Sequence, residues 1–172
     1  QIVLKSFSFL FVWLLLLVSC QKQLPQLPAN KNYAIDTVGE GLLKINEALI
    51  LSEDSILTDF ISKSDSNFTK HKQGFWYKMN LHTKSETLKT DSKCTIRYSV
   101  FLLDGKFCKT EKSTIVIGKN QVVTGVEELL KQMHKGEKAT LVLPWYLAWG
   151  MKGDGERIPP YTSVLIYLQL DN

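Results

Sequence analysis

Residues 121–170 read QVVTGVEELLKQMHKGEKATLVLPWYLAWGMKGDGERIPPYTSVLIYLQL, and the order of signals in them decides the fold. Val122 and Val123 close an extended run, and Thr124 with Glu127 three residues on is a capping box that predicts a helix start. The helix presents Val126, Leu129, Leu130 and Met133 on one face and stops at Gly136, just after His134-Lys135. A β-rich strand over 139–143 follows. Next comes a loop with Trp145, Tyr146, Trp149, three glycines and Pro159-Pro160, and an alternating strand over 163–170 closes the unit.

Upstream, strands are predicted over 75–81, 94–103, 106–110 and 114–117, with Asp104-Gly105 as a two-residue hairpin turn. Together with the two later strands they make a curved antiparallel sheet holding the helix from Thr124 in its concave face, an α+β architecture. Further upstream, apolar residues fall at 42, 45, 49, 56 and 60, with 43, 50, 57 and 61 beside them, which is helical spacing. Glu53 lies near the centre of that stripe, so either the helix breaks around 52–55 or Glu53 finds a polar partner. The stripe needs a cover, either its own domain or a dimerisation or client-binding surface.

The first residues carry a different signal. Lys5 precedes an apolar run over 9–18 that stops at Leu17-Val18-Ser19-Cys20; it is too short for a membrane span and suits a signal-peptide core. Leu-Val-Ser-Cys is similar to a bacterial lipobox, in which the cysteine is acylated, and Cys20 is the expected lipidation site. Residues 21–32, with Pro25 and Pro28, read as an extended tether. The expected organisation is a signal peptide over 1–19, a tether over 20–32, a helical extension over 33–70 and the sheet domain over 71–172.

Net charge is +4 over 172 residues, and with Lys5 the only charge among the first 19 the remainder carries +3. That balance is too mild and too evenly mixed to argue for nucleic acid. Lysines crowd residues 63–93, which suits a sheet edge guarded against aggregation. The assumed hairpin sets Phe101 rather than Cys94 opposite Cys108, so no disulfide is expected between these cysteines and both read as buried thiols. His71, His82 and His134 have no ligand spacing, and no metal site is expected.

Several unusual features recur at fixed spacing: Tyr98, Asp104-Gly105, Gly118-Lys119, Gly125, Glu127-Glu128, Met133, Gly136, Leu141, Ala148 before Trp149-Gly150, and Ile158-Pro159-Pro160. On these residues, over roughly 74–171, the chain resembles the FKBP-type peptidyl-prolyl isomerases. With Gly74-Phe75-Trp76-Tyr77 behind a helical N-terminal piece, it looks most like the gliding-motility-associated lipoprotein branch of the Bacteroidota. The resemblance implies an antiparallel half-barrel wrapped on one helix and no cofactor. The partners it implies are proline-containing segments of envelope proteins, the membrane through the N-terminal lipid, and a second copy of the chain through the N-terminal helix. No acidic run follows Cys20, so the expected location is the bacterial cell envelope, facing the periplasm, with the outer membrane favoured over the inner.

Rotation about an Xaa-Pro bond faces a barrier of roughly 20 kcal/mol set by amide resonance. An enzyme needs no nucleophile or metal for it, only an apolar pocket that strips water from the amide, holds the proline ring and favours the twisted transition state. Carried over residue by residue, the family's pocket tyrosine is Tyr98. The two residues before the helix, one offering its backbone N–H, are Val122 and Val123, and Ile158 precedes the double proline. The remaining positions depart from the pattern. A Phe-Asp pair falls on Cys108-Lys109, losing an aromatic wall and a pocket carboxylate and inverting a charge. The floor tryptophan falls on Val126, strand aromatics fall on Ile115 and Ile166, and the loop tyrosine falls on Trp149, which keeps a large ring and one donor. The resemblance therefore implies Tyr98, Trp149 and Val123 as catalytic, and Cys108, Lys109, Ile115, Val122, Val126, Ile158 and Ile166 as substrate-binding. So altered a pocket implies weak isomerase activity, or else a non-catalytic module for proline segments or a chaperone part of an envelope assembly.

Overall fold

The computed structural model describes residues 34–64 and 67–171; Cys20, the signal segment and the tether lie outside the described residues. Helix α1 runs without a break over Ala34–Ser62. The chain divides into two compact units, 1–45 and 46–172, so the second half of α1 belongs with the sheet. In that half Leu57 is fully buried, and Glu53 is buried with its carboxylate accepting a hydrogen bond from Ser163 Oγ. A distant hydroxyl, not a helix break, accommodates the carboxylate in the apolar stripe, because a buried charge is tolerated only when hydrogen-bonded.

Six antiparallel strands follow: β1 (Thr69–Lys70), β2 (Trp76–Leu81), β3 (Lys93–Leu102), β4 (Phe107–Val116), β5 (Lys138–Leu143) and β6 (Val164–Leu170), in the order β1-β2-β5-β6-β3-β4. Helix α2, Thr124–Leu130, connects β4 to β5. The segments predicted over 106–110 and 114–117 are one strand. Its polar middle, Lys109 to Thr114, is accommodated because β4 is an edge and only one side of it pairs.

The core follows from alternation. Cys94, Ile96, Tyr98 and Val100 of β3 are buried, and the last three pair with Leu170, Leu168 and Ile166 of β6, which puts one apolar face across the centre of the sheet. Val126, Leu129, Leu130 and Met133 are buried in the same cluster. Close approach of α2 depends on Gly125, where a Cβ would come within 2.5 Å of the Leu143 side chain.

Two local expectations are corrected. The helix is capped by Val123 without a side-chain hydrogen bond, so the Thr124–Glu127 capping box does not form. Glu127 is instead buried and accepts the Gly118 N–H at 2.6 Å, a donor that the preceding turn leaves without a backbone partner. The second correction concerns the hairpin, which closes with Leu102 N–H on Lys106 O (2.9 Å) and Gly105 N–H on Leu102 O (3.0 Å), a longer loop than two residues. Phe101 therefore pairs with Phe107 and Val100 with Lys109, leaving Cys108 as the extra residue of a β-bulge. Cys94 pairs with Ile115, and both cysteines are free and buried.

Candidate functional site

The bulge at Cys108 sets the site. Beyond it, the odd-numbered residues of β4 share the face of Tyr98, since Val100 pairs with Lys109, Tyr98 with Glu111, Ile96 with Ser113 and Cys94 with Ile115. Tyr98 donates its phenolic hydrogen to Glu111 Oε2. Lys109 Nζ lies 3.2 Å from Glu111 Oε1 and 3.7 Å from Asp154 Oδ2, and it sits over the Trp149 ring at 4.7 Å from the centroid. Two carboxylates therefore lie at this corner, Glu111 from two residues along the strand and Asp154 from the loop. Lys109 is the cation between them.

The loop between β5 and β6 is held by the same groups. Asp154 Oδ1 accepts the N–H groups of Glu156, Arg157 and Ile158 at 3.0, 2.9 and 2.8 Å. The turn needs Gly153, whose φ is +67° and where a Cβ would overlap the Ile158 carbonyl oxygen. Arg157 Nη1 donates to Cys108 O at 2.8 Å, tying the loop to the bulge. Thus fixed, Ile158 is buried in one cluster with Tyr98, Cys108, Ile115, Val126 and Ile166. Val122, Val123 and Trp149 are partly buried against that cluster. The apolar residues singled out from the sequence thus all belong to, or border, the one buried cluster, and Lys109 lies over the Trp149 ring. Trp145 and Tyr146 are half-buried, with Trp145 edge-on to Tyr161 at 5.0 Å.

Glu111, Asp154 and Arg157 escaped the sequence reading. Asp154 between two glycines had an available signal, because Asp there favours a turn closed by its own carboxylate. Glu111 had one as well, because the assumed hairpin that sets Phe101 opposite Cys108 also sets Tyr98 opposite Glu111, the pairing the structure shows. Among the described residues no group of three or more His, Cys, Asp or Glu side chains is placed to hold a metal ion.

The electrostatics follow from these contacts. The hydrogen bond from Tyr98, helped by Lys109 and opposed by burial, holds the Glu111 carboxyl below its ordinary range. Burial, reinforced by Glu111, pushes the Tyr98 phenol up, so it stays protonated and donating at neutral pH. Burial alone would raise Asp154, but the three backbone N–H groups and Lys109 outweigh it and leave the carboxyl low. Glu137, buried at the start of β5, behaves alike: its burial is outweighed by the N–H groups of His134 (2.8 Å) and Thr83 (3.1 Å).

A pH dependence follows. Carboxyls with depressed folded-state pKa values add stability that is complete above their unfolded values near 4 and is lost as pH falls through the folded values. Denaturant midpoints should therefore hold from about pH 7 to 5 and decline below about pH 4. Asp154→Asn should flatten that decline, and an unchanged acid slope in the variant contradicts the assignment. Lys109→Asp should be harmful, because it sets a third carboxylate against Glu111 and Asp154. A loss of about 1–2 kcal/mol in a urea melt is expected, with Lys109→Gln losing less.

Comparison with known proteins agrees with this geometry. A family model described as FKBP-type peptidyl-prolyl cis-trans isomerase matches residues 84–170. The chain is 31% identical over 83 residues to the macrophage infectivity potentiator of Trypanosoma cruzi, covering 46% of this chain and 42% of that protein. It is 33% identical over 139 residues to human peptidyl-prolyl cis-trans isomerase FKBP9, covering 74% and 22%. The chain thus spans less than half the length of these relatives. Among solved structures, a peptidyl-prolyl cis-trans isomerase from Pseudomonas syringae superposes with a TM-score of 0.61 at 22% identity, covering 73% of this chain and 93% of that one. FkpA from Escherichia coli gives 0.60 at 22% identity, covering 80% and 65%. The fold is FKBP-like, and the chain belongs to the FKBP-type peptidyl-prolyl cis-trans isomerase family.

Proposed function

We propose that this protein is a lipid-anchored prolyl isomerase and folding factor for envelope proteins, with a weakened active site. The observation that carries the reading is the network of Tyr98, Glu111, Lys109 and Asp154, which holds Lys109 over the Trp149 ring and fixes the loop at Ile158, at the border of the buried cluster that contains Val126, Ile115 and Ile166. A proline ring placed there loses its water, and a twisted amide has lost the resonance that made its hydration worthwhile, so the dry site favours the transition state. The Val123 N–H lies ahead of the helical ladder, which opens with Val126 N–H on Val123 O, and this supports the reading in which it donates to a substrate carbonyl. Weak turnover follows from Val126, Cys108 and Ile166, which offer smaller walls than aromatic rings.

The gliding-associated lipoprotein branch, the anchor at Cys20 and the periplasmic face, with the outer membrane preferred, rest on the sequence signals. Homodimerisation through α1 is supported by Leu49, Ile50, Leu51 and Ile56, which stay exposed on the half of the helix that otherwise packs on the sheet unit. A protease-free isomerisation assay on Xaa-Pro peptides, run beside an FKBP relative, tests the activity. The expected result is acceleration over the spontaneous rate, well below the relative's. Saturable binding without acceleration favours a non-catalytic module for proline segments, the reading that Val126 at the floor supports. Neither acceleration nor binding sinks both.

A further inference from the structure

A concavity of about 480 Å3 lies along the β5–β6 loop, and Ile158, one of the residues lining it, also belongs to the site proposed above for proline. Lys106 from the hairpin loop and Lys152 and Arg157 from the β5–β6 loop line it, against one carboxylate, Glu156. The cations are of two kinds. Arg157 is fixed by its bond to Cys108 O, so its charge is already positioned. Lys106 and Lys152 are exposed and, among the described residues, neither takes part in an ion pair. The nearby Lys109 lies between two carboxylates, Glu111 and Asp154, and Asp104 accepts the Lys106 N–H at 2.9 Å, so the cleft's positive excess is that of its own lining, three cations to one carboxylate.

We propose that this cleft selects acidic clients, binding Asp or Glu side chains that lie within a few residues of the target proline. A chain whose proline stands against Ile158 must continue past the Ile158 wall, and on one side that path enters the cleft. Carboxylates there replace water around Lys106 and Lys152 and meet a guanidinium that loses little freedom on binding. The shared wall favours a peptide over an anionic membrane surface as the occupant. For the position of the proline the inference rests on the pocket proposed above, and for the charge on the cleft alone.

The test is anisotropy of short labelled peptides on the full chain. They carry Leu-Pro followed by two Glu, two Gln or two Lys, and a fourth carries Leu-Ala with two Glu. The Glu peptide should bind about tenfold tighter than the Gln peptide at low ionic strength, with Lys weakest and the gap shrinking as salt is added. The double variant Lys106→Glu/Lys152→Glu, both substitutions at exposed positions, should reverse the order. Equal binding of the Glu and Gln peptides overturns the proposal, as does a Glu preference that survives the double reversal or a lysine-dependent preference for phosphatidylglycerol vesicles over the Glu peptide. A Leu-Ala peptide that binds as tightly as its proline counterpart, with the Glu preference kept, leaves the cleft standing and sinks the proline pocket.

Discussion

Trp149→Ala is expected to remove most prolyl isomerisation, at least about tenfold in kcat/KM, which corresponds to about 1.4 kcal/mol of transition-state stabilisation. The ring is partly buried at the edge of the core and covered by Lys109, so it contributes both an apolar wall and the surface on which that cation rests. Its removal opens the site to water and frees Lys109, while the strands behind it keep their pairing. Far-ultraviolet circular dichroism should therefore be unchanged. Trp149→Phe separates the two properties of the indole, keeping a ring and losing the N–H donor. If Phe restores most of the rate, the ring matters; if it behaves like Ala, the donor does. At Tyr98 the informative change is Tyr98→Phe, because truncation to Ala empties a core position where Tyr98 is 7% exposed. The phenylalanine leaves packing intact and takes away the bond to Glu111, so loss of rate in a stably folded variant assigns the phenol a role. Full activity in both Trp149→Ala and Tyr98→Phe would mean that isomerisation happens elsewhere.

Cys20→Ser should move the protein from the membrane fraction to the soluble one, or stall it as an unprocessed precursor. Each acyl CH₂ buried in a bilayer contributes about 0.8 kcal/mol, so one chain binds reversibly and two or more hold a protein essentially permanently. The change is close to all-or-none and is read by detergent phase partitioning of wild type and variant. Identical aqueous behaviour of the two contradicts the anchor. The same experiment bears on clients, since a tethered folding factor meets only segments within reach of its membrane.

Most of the fold was legible in the sequence because its signals are local. The period of β3 and β6, the apolar face of α2 and the turn residues around Gly153 and Pro159-Pro160 each depend on neighbours a few positions away. What escaped depends on distant contacts. Glu53 keeps α1 continuous through a hydroxyl 110 residues later, which no helical periodicity contains. Glu127 looked like a capping residue, yet it turns inward to a Gly118 N–H that exists only once the β4–α2 turn has formed. At the candidate site, Tyr98 and Ile158 were singled out by the motif they belong to, and both are buried in the core cluster. Glu111 was missed although the assumed register already set it opposite Tyr98, because its tie to Asp154 through Lys109 joins the strand to a distant loop, and the apparent charge inversion at Lys109 places one cation between two carboxylates. Two-residue β1 is too short to show any alternation.

The claim that this face of the core is a proline site is tested most directly by nuclear magnetic resonance on the isotope-labelled full chain, titrated with a Leu-Pro peptide. The account predicts that the Trp149 indole N–H and the Val123 amide shift together and saturate at one peptide concentration, while the exposed residues of α1 stay in place. Shifts confined to α1 or to Trp145 and Tyr146, with Trp149 and Val123 unmoved, would contradict it.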